Sequence, residues 1–249
     1  MLGTLGIIQT WSGVEGSRGT AARRLGGKSV LEWVVRRMTD CQQLDGVVVL
    51  SDARSTSRRL SSLVPSDVPI VSVEGDDPLR RFVAATEQYR CEGVVRVRAD
   101  QPFVDPMLID RLVTTAQSQP SCDYVSYCSR DGRPTILSSI GVFGEWISTE
   151  ALRRADRKAT SSDDRREVTS FIHGHPEQFK LRLIPAPAQV DRDDVRLTID
   201  IEEDWEHLLT IVDALGPEEL DWRRIANLLD HQPALRSRMA ALNRESARS

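Results

Sequence analysis

An α/β fold with a mostly parallel central sheet, helices on both faces, is predicted by three observations. Short apolar runs recur at residues 5–9, 44–51 and 93–97, each suited to a strand buried on both sides. Amphipathic helical stretches separate them; residues 79–89 place Leu79, Phe82, Val83 and Thr86 on one side. Turn chemistry follows the runs, with glycines after the first and Asp100-Gln101-Pro102 after the third.

Residues 5–35 organise the chain as strand, glycine-bearing loop and helix. Gly13, Gly16 and Gly19 offer turns of positive φ, and a loop of this kind presents backbone N–H groups to an anion. An ordinary surface loop has the same composition. Gly27-Lys28-Ser29 is not a Walker loop, because the glycine five positions before Gly27 is absent, and no clean dinucleotide fingerprint is present. Ser29 caps a helix whose Val30, Leu31, Val34 and Val35 recur at helical spacing, with Glu32 at its third position. Arg23 and Arg24 lie just beyond the loop, placed either to meet a phosphate or to face solvent.

Further along, residues 56–63 read as a short helix with Arg58 and Arg59 outward, and 68–73 as a short strand. Asp77-Pro78 and Asp105-Pro106 each open a helix. Beyond Ser121 the order changes. Residues 123–128, 138–143 and 179–184 read as extended segments, 148–157 and 167–174 as helices, and 159–166 as a polar, mobile loop. Residues 195–199 read as a final strand ending at Asp200. Residues 202–215 form a long helix, and about 217–245 a helical tail. One domain over 1–249 is expected, with an arm at about 131–188 projecting from the sheet.

The 249 residues are 40% hydrophobic and 28% charged, as in soluble globular proteins. The net charge of −4 disfavours a nucleic-acid surface. No apolar run approaches the ~18 residues of a membrane span, and residues 1–9 lack a basic leader region. Four cysteines without a CxxC pair read as free thiols, so a cytoplasmic setting is expected.

Asp100 and Asp200 each follow a predicted strand. On one edge of a parallel sheet, two such carboxylates could hold Mg²⁺, which neutralises charge in a phosphoryl displacement. Each could instead merely cap the element after it. His173 and His175 could chelate a metal, but they stand at a helix end beside Pro176, where a solvated turn is the simpler reading.

Several segments together resemble the cytidylyltransferases of bacterial surface-sugar biosynthesis, in particular the spore-coat polysaccharide branch of the acylneuraminate and 3-deoxy-octulosonate cytidylyltransferase group. Ile7-Ile8-Gln9 matches the opening strand. Leu25-Gly26-Gly27-Lys28 with Val30-Leu31-Glu32 matches the loop exit and first helix. The run from Val94 to Pro106 is similar to the family's strand, Gly-Asp-x-Pro turn and Asp-Pro helix start. Arg166-Glu167-Val168-Thr169 and Leu197-Thr198-Ile199-Asp200 resemble two further segments. The resemblance implies a Rossmann-like nucleotide-diphospho-sugar transferase fold, with an arm of the kind used for homodimers. It implies that CTP binds over Gln9, Gly13, Gly16, Arg18, Gly19, Arg23, Arg24 and Lys28. Mg²⁺ would be held by Asp100 and Asp200, and a sugar hydroxyl would attack the α-phosphate to give a CMP-sugar for surface polysaccharide.

The sequence departs from the family pattern at two places. Aligned without gaps, Trp11, Gly16 and Thr20 stand where the family loop has Arg, Arg and Lys, although Arg18 could stand in through a shift of register. Ser139 and Gly141 stand where the family's sugar segment has two carboxylates, and the family His between Glu167 and Val168 is missing. These departures raise an alternative: a catalytically degenerate member acting as a binding, regulatory or partner subunit.

Overall fold

A computed structural model describes residues 2–10, 17–52 and 60–247, excluding the side chains of Ser17 and Arg18. In chain order the strands are β1 (Leu2–Gln9), β2 (Arg24–Leu25), β3 (Lys28–Ser29), β4 (Gly46–Asp52), β5 (Ile70–Val73), β6 (Cys91–Arg98), β7 (Tyr124–Cys128), β8 (Glu145–Ser148) and β9 (Leu181–Pro185). The helices are α1 (Ser17–Thr20), α2 (Val30–Thr39), α3 (Pro78–Tyr89), α4 (Pro106–Gln117), α5 (Thr149–Lys158), α6 (Ser162–Arg165), α7 (Ser170–Gly174), α8 (Glu202–Leu215), α9 (Trp222–Asp230) and α10 (Pro233–Ser246).

Seven strands form one sheet in the order β5-β4-β1-β6-β8-β7-β9. Only β8 runs antiparallel, against β6 and β7. The fold is therefore the mostly parallel, Rossmann-like α/β architecture expected from the alternation of runs. Strand β1 lies between β4 and β6, with Ile7 level with Val48 and Arg96. Side chains alternate across the sheet. Ile7, Val48, Leu50 and Val94 pack under α3 and α5, while Ile8, Val49, Val95 and Val97 pack under α2, α4 and α8. Both faces are buried, which is why these strands read as continuous apolar runs.

The helix starts follow their sequence signals. Ser29 Oγ accepts from the Glu32 N–H at 3.0 Å. Asp77 accepts from Arg80 N–H, and Asp105 from those of Met107 and Leu108, each with proline as the first helical residue. Gly26 and Gly27, both at positive φ, turn the β2–β3 hairpin.

Three expectations are corrected. Residues 195–199 are not a strand: their backbone bonds run to loops, with Leu197 N–H donating to Ser139 and Ile199 N–H to Asp100. Residues 138–143 are not extended strand either; a turn of 3₁₀ helix at Thr135–Leu137 precedes, and β8 begins only at Glu145. Residues 159–166 are not a loose loop. They contain α6, and Arg165 there is tied to Asp77 and Asp156 and to the Asp156 and Ala159 carbonyls. Of the helix expected at 56–63, residues 56–59 lie outside the described residues. Residues 131–188 contribute β8 and β9 to the sheet, with α5 packed on α3.

Candidate functional site

In an open parallel sheet, ligands gather where strands end at their carboxyl edge. Here that edge brings Gln9 of β1 beside Arg98, Ala99 and Asp100, since the Ala99 N–H donates to the Gln9 carbonyl at 2.9 Å. Asp100 is buried. Its turn is held by the Gln101 side chain, which accepts from the Arg98 N–H at 2.9 Å. The Ile199 N–H donates to the Asp100 carbonyl at 3.1 Å, so the segment carrying Asp200 lies against this turn.

The two aspartates converge on one cation. Arg98 Nε stands 3.0 Å from Asp100 Oδ1, and Arg98 Nη2 3.8 Å from Asp200 Oδ1. Burial works against the Arg98 charge, but Asp100, Asp200 and Glu167 outweigh it and raise its pKa. The other Asp200 oxygen accepts from Thr198 Oγ1 at 2.9 Å and Arg196 Nη2 at 3.2 Å. Arg196 is fully buried and grips Asp204 with two bonds, while Asp204 accepts the N–H groups of Asp200 and Ile201 at the start of α8. Asp200 is thus fixed by a helix start rather than by a strand end.

Beneath the edge lies a buried polar network. Arg96 donates to Gln9 at 2.6 Å, to Glu145 at 2.7 Å and to Glu167 at 2.7 Å. Glu145, wholly buried, also accepts from Tyr124 at 2.6 Å and from Thr169. One guanidinium therefore sets the side chains of both Gln9 and Glu167. These two line a cleft of about 600 Å³ with Asp76, Asp77, Pro78, Ser162, Arg165 and Arg166.

The remaining candidate residues are distributed as follows. Arg23 pairs with Glu202 through two bonds of 2.5 and 2.6 Å and lies 4.1 Å over the Trp205 ring. It is therefore near Asp200, but its guanidinium already has a carboxylate. Arg24 donates to the Gly27 carbonyl, and Lys28 lies over Trp33. Gly19 lies in α1. Gly13, Gly16 and the Arg18 side chain lie outside the described residues. His173 and His175 do not form a chelate: His173 meets Tyr124 edge-on, while His175 stacks on Phe171 and bonds its carbonyl. The four thiols are free, and burial raises the pKa of each.

Ser139 and Gly141 have a structural use. The Ser139 carbonyl accepts from Leu197 and Thr198, and its hydroxyl from Arg196 at 3.0 Å. Gly141 sits at φ +74°, and a Cβ there would come within 2.7 Å of the Leu197 backbone. This segment cradles residues 197–198 and thereby seats Asp200.

Sequence reasoning missed Arg98, Arg96, Glu145 and Arg196. A signal existed for two of them: Arg96 and Arg98 alternate with valines in an otherwise apolar strand, where an unpaired charge is costly. Such arginines announce buried acidic partners, although they do not say which.

Among the described residues, no group of three or more His, Cys, Asp or Glu side chains is placed to hold a metal ion. Two carboxylates nevertheless suit Mg²⁺, which takes few protein oxygens and completes its shell with water and phosphate. The convergence of Asp100 and Asp200 on the Arg98 cation fits such an ion. No helix among the described residues is long and apolar enough to cross a membrane.

A family model described as cytidylyltransferase matches residues 5–227. A protein of Methanocaldococcus jannaschii of uncharacterized role is 26% identical over 245 residues, covering 98% of this chain and 97% of its own. The spore coat polysaccharide biosynthesis protein SpsF of Bacillus subtilis is 25% identical over 234 residues, covering 91% and 94%. Among solved structures, a cytidylyltransferase of Leptospira borgpetersenii aligns with a TM-score of 0.80 at 20% identity, covering 94% of this chain and 95% of that one. A CMP:2-keto-3-deoxy-manno-octonic acid synthetase complexed with CTP aligns at 0.65 and 11%, covering 85% and 99%. A Mycobacterium tuberculosis protein in complex with manganese aligns at 0.56 and 16%, covering 84% and 98%.

Proposed function

Because the chain belongs to the cytidylyltransferase family, we propose that it is a Mg²⁺-dependent CTP:sugar cytidylyltransferase, making a CMP-activated sugar for surface polysaccharide. The observation that carries this reading is the convergence of Asp100 and Asp200 on one cation beside Gln9, at the carboxyl edge of the sheet. Asp100 and Asp200 would hold Mg²⁺, which supplies neutralisation of phosphate charge when bound.

The chain's own residues position the reactants. The segment that follows β1, with Gly13, Gly16, Arg18 and Gly19, would take the phosphates along with Arg23, Arg24 and Lys28. Arg23 serves this role only by exchanging Glu202 for phosphate. Gln9, oriented by Arg96, presents its amide where β1 ends. The sugar acceptor would occupy the cleft between α3 and α6, where Asp76, Asp77, Glu167 and Arg165 offer both donors and acceptors to hydroxyl groups. Its hydroxyl attacks the α-phosphate in line, and pyrophosphate leaves. Such catalysis is positioning and charge stabilisation. The family setting and the acidic net charge favour a cytoplasmic enzyme acting on small molecules rather than on nucleic acid or membrane, with the region at about 131–188 as the dimerisation arm.

Pyrophosphate release from CTP and Mg²⁺, assayed across sugar acids and aldoses as acceptors, tests the reading. Release that requires both an acceptor and Asp100 supports it; no release with any acceptor counts against it. The second reading, a catalytically degenerate binding or regulatory member, is favoured by one feature: the cations Arg23 and Arg98 are already paired with carboxylates. It predicts that CTP binds weakly or not at all.

A further inference from the structure

The divalent-ion site proposed above already contains a cation of the protein's own. Arg98 is the last residue of β6, and its backbone is held by the Gln101 side chain. From that anchored position its guanidinium lies 3.0 Å from one aspartate and 3.8 Å from the other. Asp200 also receives Arg196, whose guanidinium is shared with Asp204. A divalent ion entering between the aspartates would meet Arg98 at close range, like charge against like. Glu167, bonded to Arg96, adds a further negative charge near Arg98.

We propose that Arg98 is a resident cation of the Asp100–Asp200 pair, and that a divalent ion reaches these carboxylates only by displacing it. The pair is then partly neutralised at rest, and binds a metal weakly until the guanidinium is drawn away. The nucleotidyl-transfer reading supplies the identity of the ion; the competition itself depends only on the two aspartates and Arg98.

The test is titration of Mn²⁺, without nucleotide, into the full-length protein and its variants. Free Mn²⁺ is read by electron paramagnetic resonance, and circular dichroism verifies each fold. Arg98→Gln should bind Mn²⁺ about tenfold more tightly than the wild type, since one opposing charge is removed. Arg98→Met provides a second uncharged variant if the glutamine form does not fold. Arg98→Lys, which keeps the charge, should stay near the wild type. Adding Asp100→Asn to Arg98→Gln should abolish the gain. If both uncharged variants bind Mn²⁺ no more tightly than the wild type, or if the gain survives Asp100→Asn, the proposal is overturned. A failure of CTP to bind would count against the transferase reading and leave this result standing.

Discussion

The Ile199 N–H donates to the Asp100 carbonyl over 3.1 Å. That single bond joins two segments about a hundred residues apart in sequence and sets their aspartates side by side. Asp100 arrives on the end of a buried parallel strand. Asp200 arrives on an irregular segment that is held by Ser139, Arg196 and Asp204 and has no strand neighbours of its own.

The cradle under that segment should therefore matter more than an ordinary glycine turn. Gly141→Ala should destabilise the protein by about 2–3 kcal/mol, since strain at positive φ adds to contact with the Leu197 backbone. Gly132→Ala, also at positive φ (+81°) but with open space around it, should cost only about 1 kcal/mol. Urea unfolding of both variants measures the difference; equal losses would mean that the close approach at Gly141 is without consequence.

Arg96 is the hinge of the buried network. Replacing it with leucine leaves Glu145 charged, buried and without its guanidinium, which should cost about 3–5 kcal/mol. The loss should come with weaker nucleotide binding, because Gln9 and Glu167 lose their common donor. A loss below about 1 kcal/mol, of the kind seen for exposed pairs, would show that Glu145 finds other partners.

His173 is expected to make stability depend on pH in a defined direction. Burial lowers its pKa, opposed by Glu145 and assisted by Arg96, so the folded state binds its proton less readily than the unfolded chain. The stabilisation is present above the ordinary value of 6.5 and is lost as pH falls below it. Urea midpoints should therefore drop between about pH 7 and pH 5.5, and drop less in His173→Phe. Burial lowers the pKa of His207 as well, so a residual slope is expected in the variant. Parallel slopes in the two proteins would rule out His173 as a source.

Much of the fold was legible because its signals are local. The strands of a two-faced parallel sheet must be apolar throughout, and Ser29, Asp77 and Asp105 advertise their helices by capping chemistry. The candidate carboxylates were legible for the same reason: Asp100 follows a strand in a tight turn. What the sequence concealed is long-range. Residues 195–199 have strand composition, so Asp200 reads as the end of a strand; their hydrogen bonds instead go to Ser139 and Asp100, which no local pattern reveals. The charged stretch at 159–166 looked solvated, yet Arg165 is pinned by Asp77, far away in the chain. Arg98 stood in plain view, but its partnership with both aspartates depends on two loops meeting at one sheet edge.

Calorimetric titration of CTP, with and without Mg²⁺, into the wild type and Asp100→Asn is the most direct test of nucleotidyl transfer at this edge. Mg²⁺-dependent binding that the substitution weakens about tenfold or more is the expected result, as for loss of a charged contact worth at least ~1.4 kcal/mol. Absence of CTP binding, or binding that neither the metal nor Asp100 affects, would contradict it.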